Sequence, residues 1–196
     1  MYLQHARGLL AHPRLGWLTI KNEHTSLTQL CCKRLSILAA IPAISLFFGL
    51  TLTGWSLSGK EFHLFSVDKA FLLSFGFYCS MIIGALSMAY FIFWLEKTYD
   101  AKVDFEHCVN FITYTALPMY LAGVVALVPI VWLVVLVILT AVIYSLYLLY
   151  VGIPVFMSIP EGRGFMFSTS IIMAGLCTIV SWIELSAVLF SGTIMS

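Results

Sequence analysis

Residues Cys108–Pro160 read CVNFITYTALPMYLAGVVALVPIVWLVVLVILTAVIYSLYLLYVGIPVFMSIP, a run of 53 residues without Asp, Glu, Lys, Arg or His. As one α-helix this run would be about 80 Å long, whereas a hydrocarbon core of roughly 30 Å needs about 20 residues per crossing. We therefore predict two membrane helices joined at Val128–Pro129, because proline lacks the amide donor and disfavours helix in the residue before it. A re-entrant hairpin there is the alternative, and it would reverse the last span.

The overall composition also indicates that the chain lies in a lipid membrane. The chain is 61% hydrophobic and 10% charged over 196 residues, whereas soluble proteins carry about 25% charged residues. Hydropathy predicts an all-α integral membrane protein, a bundle of five transmembrane helices with an N-terminal interfacial helix. We divide the chain into a leader, 1–34, and a transmembrane domain, 35–196. The predicted spans lie near 35–53, 69–95, 108–128, 130–157 and 168–192.

The positive charges predict the orientation. With the N-terminus inside, eight of the ten Lys and Arg residues fall on inner segments and two, Lys60 and Lys69, fall on outer ones. Cytoplasmic loops are enriched in positive charge, so the N-terminus is expected inside and the C-terminus outside. The inner set comprises Arg7, Arg14, Lys21, Lys33, Arg34, Lys97, Lys102 and Arg163.

The leader combines aromatic, aliphatic and basic residues ahead of the first span. This mixture is typical of a segment that lies at the lipid headgroups, with its cations toward anionic lipid. Docking of a partner protein is the alternative, since the leader is the largest predicted cytoplasmic surface. The residues assigned to the lipid interface are Arg14, Trp17, Lys21, Lys33 and Arg34.

Motifs for soluble chemistry are missing from the sequence. The five cysteines and five histidines match no metal-ligand spacing, and there is no P-loop and no GxSxG. Buried cysteine usually behaves as a small hydrophobic residue. We therefore expect no metal site, no cofactor, no catalytic residues and no nucleic-acid partner.

Glu184 is the one carboxylate in the middle of a predicted span. An ionisable side chain at that depth is costly and is by default a functional-site hypothesis. Its neighbours at helical spacing are small, which predicts close helix packing and a carboxylate that faces the bundle. Two roles remain open for Glu184: a structural, hydrogen-bonded carboxyl or a proton- or ion-linked group. Depth matching adds Tyr78, Ser80, Tyr120 and Thr140 to this predicted intramembrane site.

A second polar set lies nearer the inner side of the predicted third and fourth spans. Hydroxyl and amide groups often link helices in lipid, so interhelical packing is the main interpretation and a polar cavity is the alternative. Prolines at 42, 118 and 154 are predicted to kink their spans. The residues of this inner polar cluster are Asn110, Thr113, Tyr114, Tyr144 and Tyr147.

Three segments resemble the Yip family, the Ypt/Rab-interacting proteins, and within it the bacterial inner-membrane, YohC-like branch. They are Gly8-Leu-Leu-Ala-His12-Pro13 with Trp17, the stretch from His107 through Tyr114 and Pro118 to Pro129, and Tyr147–Pro154. The resemblance implies a five-span fold with a cytoplasmic leader in the bacterial inner membrane. Eukaryotic members are associated with Rab-type GTPases, but this chain lacks their long cytosolic N-terminal region, so GTPase binding is doubtful here.

Two functional hypotheses follow. The first is a non-enzymatic membrane organiser or adaptor that binds membrane lipids, other membrane proteins or a second copy of itself. The second is a small transporter or channel in which Glu184 is the proton- or ion-sensitive group. The first predicts that neutralising the basic residues before the first span weakens binding to anionic lipid, and the second predicts a solute flux that depends on Glu184.

Overall fold

The computed structural model describes residues 8–9, 13–21, 26–54, 64–99, 103–128 and 130–195, and within these ranges every regular element is a helix. A long apolar chain in lipid must satisfy its backbone groups within each segment, which a helix does. The main helices are α1 (Pro13–Lys21), α2 (Leu27–Thr53), α3 (Val67–Tyr99), α4 (Phe105–Thr115), α5 (Leu117–Leu127), α6 (Val131–Met157) and α7 (Glu161–Met195).

Helix α2 begins eight residues before the predicted first span. Its first turns include a π-helical segment, Leu30–Leu35, and a second π-helical segment, Gly49–Thr53, closes it. The backbone amide of Leu27 donates to Glu106 Oε1 at 3.1 Å, so a side chain from the first turn of α4 satisfies one of the free amides at the start of α2. Polar residues at 33 and 34 therefore belong to the helix of the first span.

The predicted third span is broken. Helices α4 and α5 meet at Ala116 with a bend of 41°, and Pro118 causes the break because it has no amide to donate across it. Thr53 Oγ1 donates to the carbonyl of Leu127 at 3.4 Å. The two ends of the α4–α5 pair therefore lie level with the two ends of α2, which favours one bent crossing over a re-entrant hairpin. The predicted turn residue Pro129 lies outside the described residues.

The described residues provide fewer candidate spans than the five that the sequence predicts. Within the described ranges, three helices are long and apolar enough to cross a membrane, or four if the bent pair is one span. They are Leu27–Thr53, Val67–Glu96, Val131–Met157 and the α4–α5 pair. Helix α7 is 35 residues long but is not one of these candidates over its described residues, so the fifth span remains a prediction.

Close helix approach holds the bundle together. A Cβ on Gly123 of the α5 end would lie 2.2 Å from Cβ of Pro42 in α2, so only glycine allows this contact. The largest core gathers where α1, the start of α4 and the end of α6 meet, and it includes Trp17, Phe111 and Phe156. We call this the leader end of the bundle.

Candidate functional site

Trp17 fixes α1 to the bundle. Its side chain is 0% exposed, its indole N–H donates to the carbonyl of Leu148 at 3.2 Å, and its ring centroid lies 4.7 Å from that of Phe111 and 5.7 Å from that of Phe156. A buried indole usually requires a partner for its N–H, and here a main-chain carbonyl of α6 provides it. The assignment of Trp17 to the lipid interface is therefore corrected, because the ring is inside the protein.

Gly152 makes room for this ring. A Cβ at that position would lie 2.6 Å from Trp17 Cε2 and 2.8 Å from Phe111 Cε2. Carbon atoms in contact are normally about 3.5–4.0 Å apart, so any larger residue would push the indole out. The bare backbone at Gly152 thus forms a notch on α6 that Trp17 occupies.

Lys21 lies one turn after Trp17 in α1 and also contacts α6. Its Nζ donates to the carbonyl of Val155 at 3.3 Å and to Ser158 Oγ. Helix α6 ends at Ser158, which has the left-handed conformation with φ 56°, and its last carbonyls lack partners within the helix. A cation is stabilised at this negative end of the helix dipole. We call this set of contacts the leader dock: Trp17, Lys21, Phe111, Gly152, Phe156 and Ser158.

The other side of α1 is open. Arg14 and Thr19 are exposed, and Leu15 and Leu18 are 66% and 50% exposed. Two apolar side chains beside a cation form an amphipathic outer face on a helix whose inner face is held by the dock. Lys33 is also exposed, and the assignment of Arg14 and Lys33 to the lipid interface stays a prediction.

Arg34 differs from this pattern. It is 9% exposed, Nη1 donates to Asn110 Oδ1 at 3.1 Å, and its guanidinium carbon lies 5.9 Å from the ring centroid of Tyr114. The π-helical segment that contains Arg34 changes the angle between successive residues and is often found at functional positions. Arg34 is therefore corrected from the lipid interface to a buried cluster with Asn110 and Tyr114, and we call these three residues the arginine cluster.

The predicted inner polar cluster is divided. Asn110 and Tyr114 belong to the arginine cluster, whereas the hydroxyl of Thr113 is buried and donates to the carbonyl of Val109 in its own helix. Tyr144 and Tyr147 contact each other, with ring centroids 5.9 Å apart, and Tyr147 is 50% exposed. Tyr144 is half-buried and packs against the core cluster that contains Phe111 and Tyr114 of α4, whereas Tyr147 lies on the exposed side of α6.

The predicted intramembrane site is only partly assembled. Tyr78 packs against the small buried cluster that contains Tyr120, and the buried Ser80 donates to the carbonyl of Phe77. Thr140 is exposed and donates to its own helix at Leu136. The hydroxyl groups of Ser80 and Thr140 thus bond to carbonyls of their own helices, whereas Tyr78 and Tyr120 pack in one cluster.

Glu184 is exposed on α7, so the expectation that it faces the bundle is corrected for this chain. The buried side of α7 carries Gly164, Phe167 and Ile171, and Glu184 lies about 220° around the helix from Ile171 at 100° per residue. Cys177, one of the small residues at helical spacing from Glu184, is also exposed. Both small and bulky residues of α7 contact the bundle: a Cβ at Gly164 would lie 2.8 Å from Cγ of Pro154 in α6, and Phe167 and Ile171 belong to the largest core cluster.

The sequence reasoning missed the side of the dock that α4 and α6 form. Gly152 was noticed only within a resembling segment, and Phe111, Phe156 and Ser158 were not singled out. The available signal was a glycine two residues before a proline in an otherwise bulky helix, which can mark a close approach by another element. Among the described residues, no group of three or more His, Cys, Asp or Glu side chains is arranged to hold a metal ion.

Comparison with known proteins places the chain in a family. The model of the Yip1 domain matches residues 7–182. The chain is 33% identical over 188 residues to the inner membrane protein YohC of Escherichia coli K12, which covers 96% of each chain. The protein of the same name from Escherichia coli O6:H1 matches to the same extent, and no solved structure matches. Because the match spans nearly the whole chain, the protein belongs to the Yip1 domain family.

Proposed function

We propose that the protein is a non-enzymatic organiser or adaptor of the bacterial inner membrane that binds anionic lipid, or another membrane protein, through the outer face of α1. One observation carries the proposal: the dock buries Trp17 while Arg14, Leu15 and Leu18 of the same helix remain exposed. A helix fixed in this way presents one amphipathic face to its surroundings. Such a face binds a headgroup region by apolar burial together with attraction between its cations and anionic lipid.

The location and orientation extend this proposal. The relatives are named as inner membrane proteins, and the inner segments carry eight of the ten basic residues in the predicted topology. We propose the same membrane, with the leader on the cytoplasmic side, where anionic lipid is available. A transport role would depend on Glu184, and its exposed position on α7 gives that role no support.

Lipid selectivity tests the proposal. The full chain is placed in nanodiscs of phosphatidylcholine and phosphatidylglycerol, and native mass spectrometry counts the lipids that it retains. Each cation near an anionic surface contributes about 1 kcal/mol, so the double variant Arg14→Gln, Lys33→Gln should lose about 2 kcal/mol, roughly a thirtyfold preference for phosphatidylglycerol.

Lys69→Gln is the control, because it removes one positive charge at the start of α3, beside the end of α2 and away from the leader. We expect this variant to retain phosphatidylglycerol as the unmodified protein does. Retention by the double variant at the level of the unmodified protein would remove the support for the proposal. A loss in Lys69→Gln of half that of the double variant, about 1 kcal/mol, would show that total charge, and not the position of the cations at the leader, selects the lipid.

A further inference from the structure

In the dock, α1 contacts mostly main-chain atoms of α6. Two of the three hydrogen-bond acceptors are the main-chain carbonyls of Leu148 and Val155, and the third is the hydroxyl of Ser158. The surface under the indole is the bare backbone of Gly152. Helix α1 contributes an indole at 17 and an ammonium at 21, four residues apart and so on one face of the helix. The surface of α6 that receives α1 thus contacts two side chains of the bound helix, an indole and an ammonium group.

Each of the two contacts imposes a chemical requirement on the helix that fills the groove. The Val155 carbonyl lies in the last turn of α6, where acceptors lack helical partners and the dipole is negative. That position favours a cation. The notch at Gly152 lies between Trp17 and Phe111, and removing the ring would leave an apolar cavity, which is destabilising. That position favours a large aromatic ring.

We infer that the leader dock is a recognition groove for an amphipathic helix that carries Trp and Lys or Arg four residues apart. In this chain α1 fills the groove in cis, and a membrane-bound partner with such a helix displaces it. The inference rests on the proposed adaptor function and names the chemistry of the partner. Because only residues 22–26 separate α1 from α2, the local concentration of α1 is high, in the millimolar range expected of short linkers, and the cis-filled groove is the resting state.

Displacement changes what α1 presents. The docked helix buries Trp17 and Ile20 and exposes Leu15 and Leu18, so a released α1 has apolar residues on both sides. A helix of this kind, with Arg14 and Lys21 among its apolar residues, partitions into a membrane interface. Binding of a partner helix in the groove is thereby coupled to insertion of the leader into the headgroup region.

A peptide competition experiment tests the inference. The labelled peptide GLLAHPRLGWLTIKNEHT, residues 8–25, is titrated by fluorescence anisotropy against the full chain in nanodiscs of phosphatidylcholine alone. The double variant Trp17→Ala, Lys21→Ala should bind the peptide saturably, because its own leader no longer competes. The unmodified protein should bind at least tenfold more weakly. A peptide with alanine in place of its tryptophan should also bind at least tenfold more weakly.

Further variants keep the test decisive. Adding Gly152→Leu to the double variant should abolish peptide binding, because the notch is then filled. If the double variant does not fold, Lys21→Ala alone should still bind the peptide more tightly than the unmodified protein does. Equal binding with and without Gly152→Leu, or no preference for the tryptophan peptide, would overturn the inference. Phosphatidylglycerol retention is measured separately, so its persistence without peptide binding would reject the groove and leave the proposed function intact.

Discussion

Replacing Gly152 with alanine gives the sharpest test of the dock, because two effects predict opposite signs. In a helix interior, Gly→Ala normally stabilises by about 1 kcal/mol. At Gly152, however, the new Cβ would lie 2.6 Å from Trp17 Cε2 and 2.7 Å from Trp17 Nε1. Relief of this contact to a normal separation requires a movement of about 1 Å, which would also disturb the indole bond to Leu148.

The size of the effect follows from the two terms. Overpacking of a well-packed core costs about 1–3 kcal/mol, which exceeds the gain in helix propensity over most of that range. We therefore expect Gly152→Ala to lower the free energy of unfolding by up to about 2 kcal/mol. Unfolding is measured in mixed micelles of detergent and SDS, with exposure of the indole at 17 followed by its fluorescence in a variant that retains only this tryptophan.

Gly76 of α3 provides the matched control. A Cβ at this position would meet no described atom within 4 Å beyond the adjacent backbone of its own helix, so Gly76→Ala should show the propensity gain alone and raise stability. The two substitutions should thus shift the midpoint of unfolding in opposite directions. If Gly152→Ala stabilises the protein as much as Gly76→Ala does, the close approach of Trp17 to α6 is wrong.

Two further predictions concern the polar residues. Asn110→Ala removes the acceptor of the Arg34 guanidinium and should destabilise the chain by about 1.5–3 kcal/mol, as expected for a hydrogen bond to a charged group. Thr113→Ala is the control in the same unfolding assay, because the hydroxyl of Thr113 bonds within its own helix. Equal losses of stability in the two variants would contradict the arginine cluster. Glu184→Gln should change stability by no more than about 0.5 kcal/mol because the side chain is exposed. A loss above about 2 kcal/mol would instead indicate a buried carboxylate that packs against another surface.

The most apolar of the candidate spans was the easiest element to predict. The sequence placed a span at 130–157 and the structure has Val131–Met157, because an uninterrupted apolar run has two clear ends, Pro129 and the Ser158-to-Pro160 turn. The start of the first span was harder. Lys33 and Arg34 were counted as leader residues because charges usually end a span, but the helix begins at Leu27 and carries Arg34 into the core.

Trp17 and Glu184 could not be placed from the sequence for a common reason. An aromatic residue among cations has the same local pattern whether it faces lipid or a notch in a neighbouring helix, and only the position of Gly152 distinguishes the two. The small residues near Glu184 permit close packing but do not require it. Phe167 and Ile171 turn the opposite side of α7 toward the bundle, since burying large apolar side chains stabilises a helix contact more than burying small ones.

The two faces of α1 can be changed independently, and this separation makes the proposed roles distinguishable. Arg14, Leu15 and Leu18 make up the outer face, whereas Trp17 and Lys21 contact α6. Removing the charge of Arg14 should therefore change lipid selectivity without loosening the helix, and filling the notch at Gly152 should loosen the helix without changing its charge. If α1 served only to anchor the chain in the headgroups, the indole would gain nothing from a notch in α6. Its burial there implies that the position of the leader relative to the bundle is itself specified by the sequence.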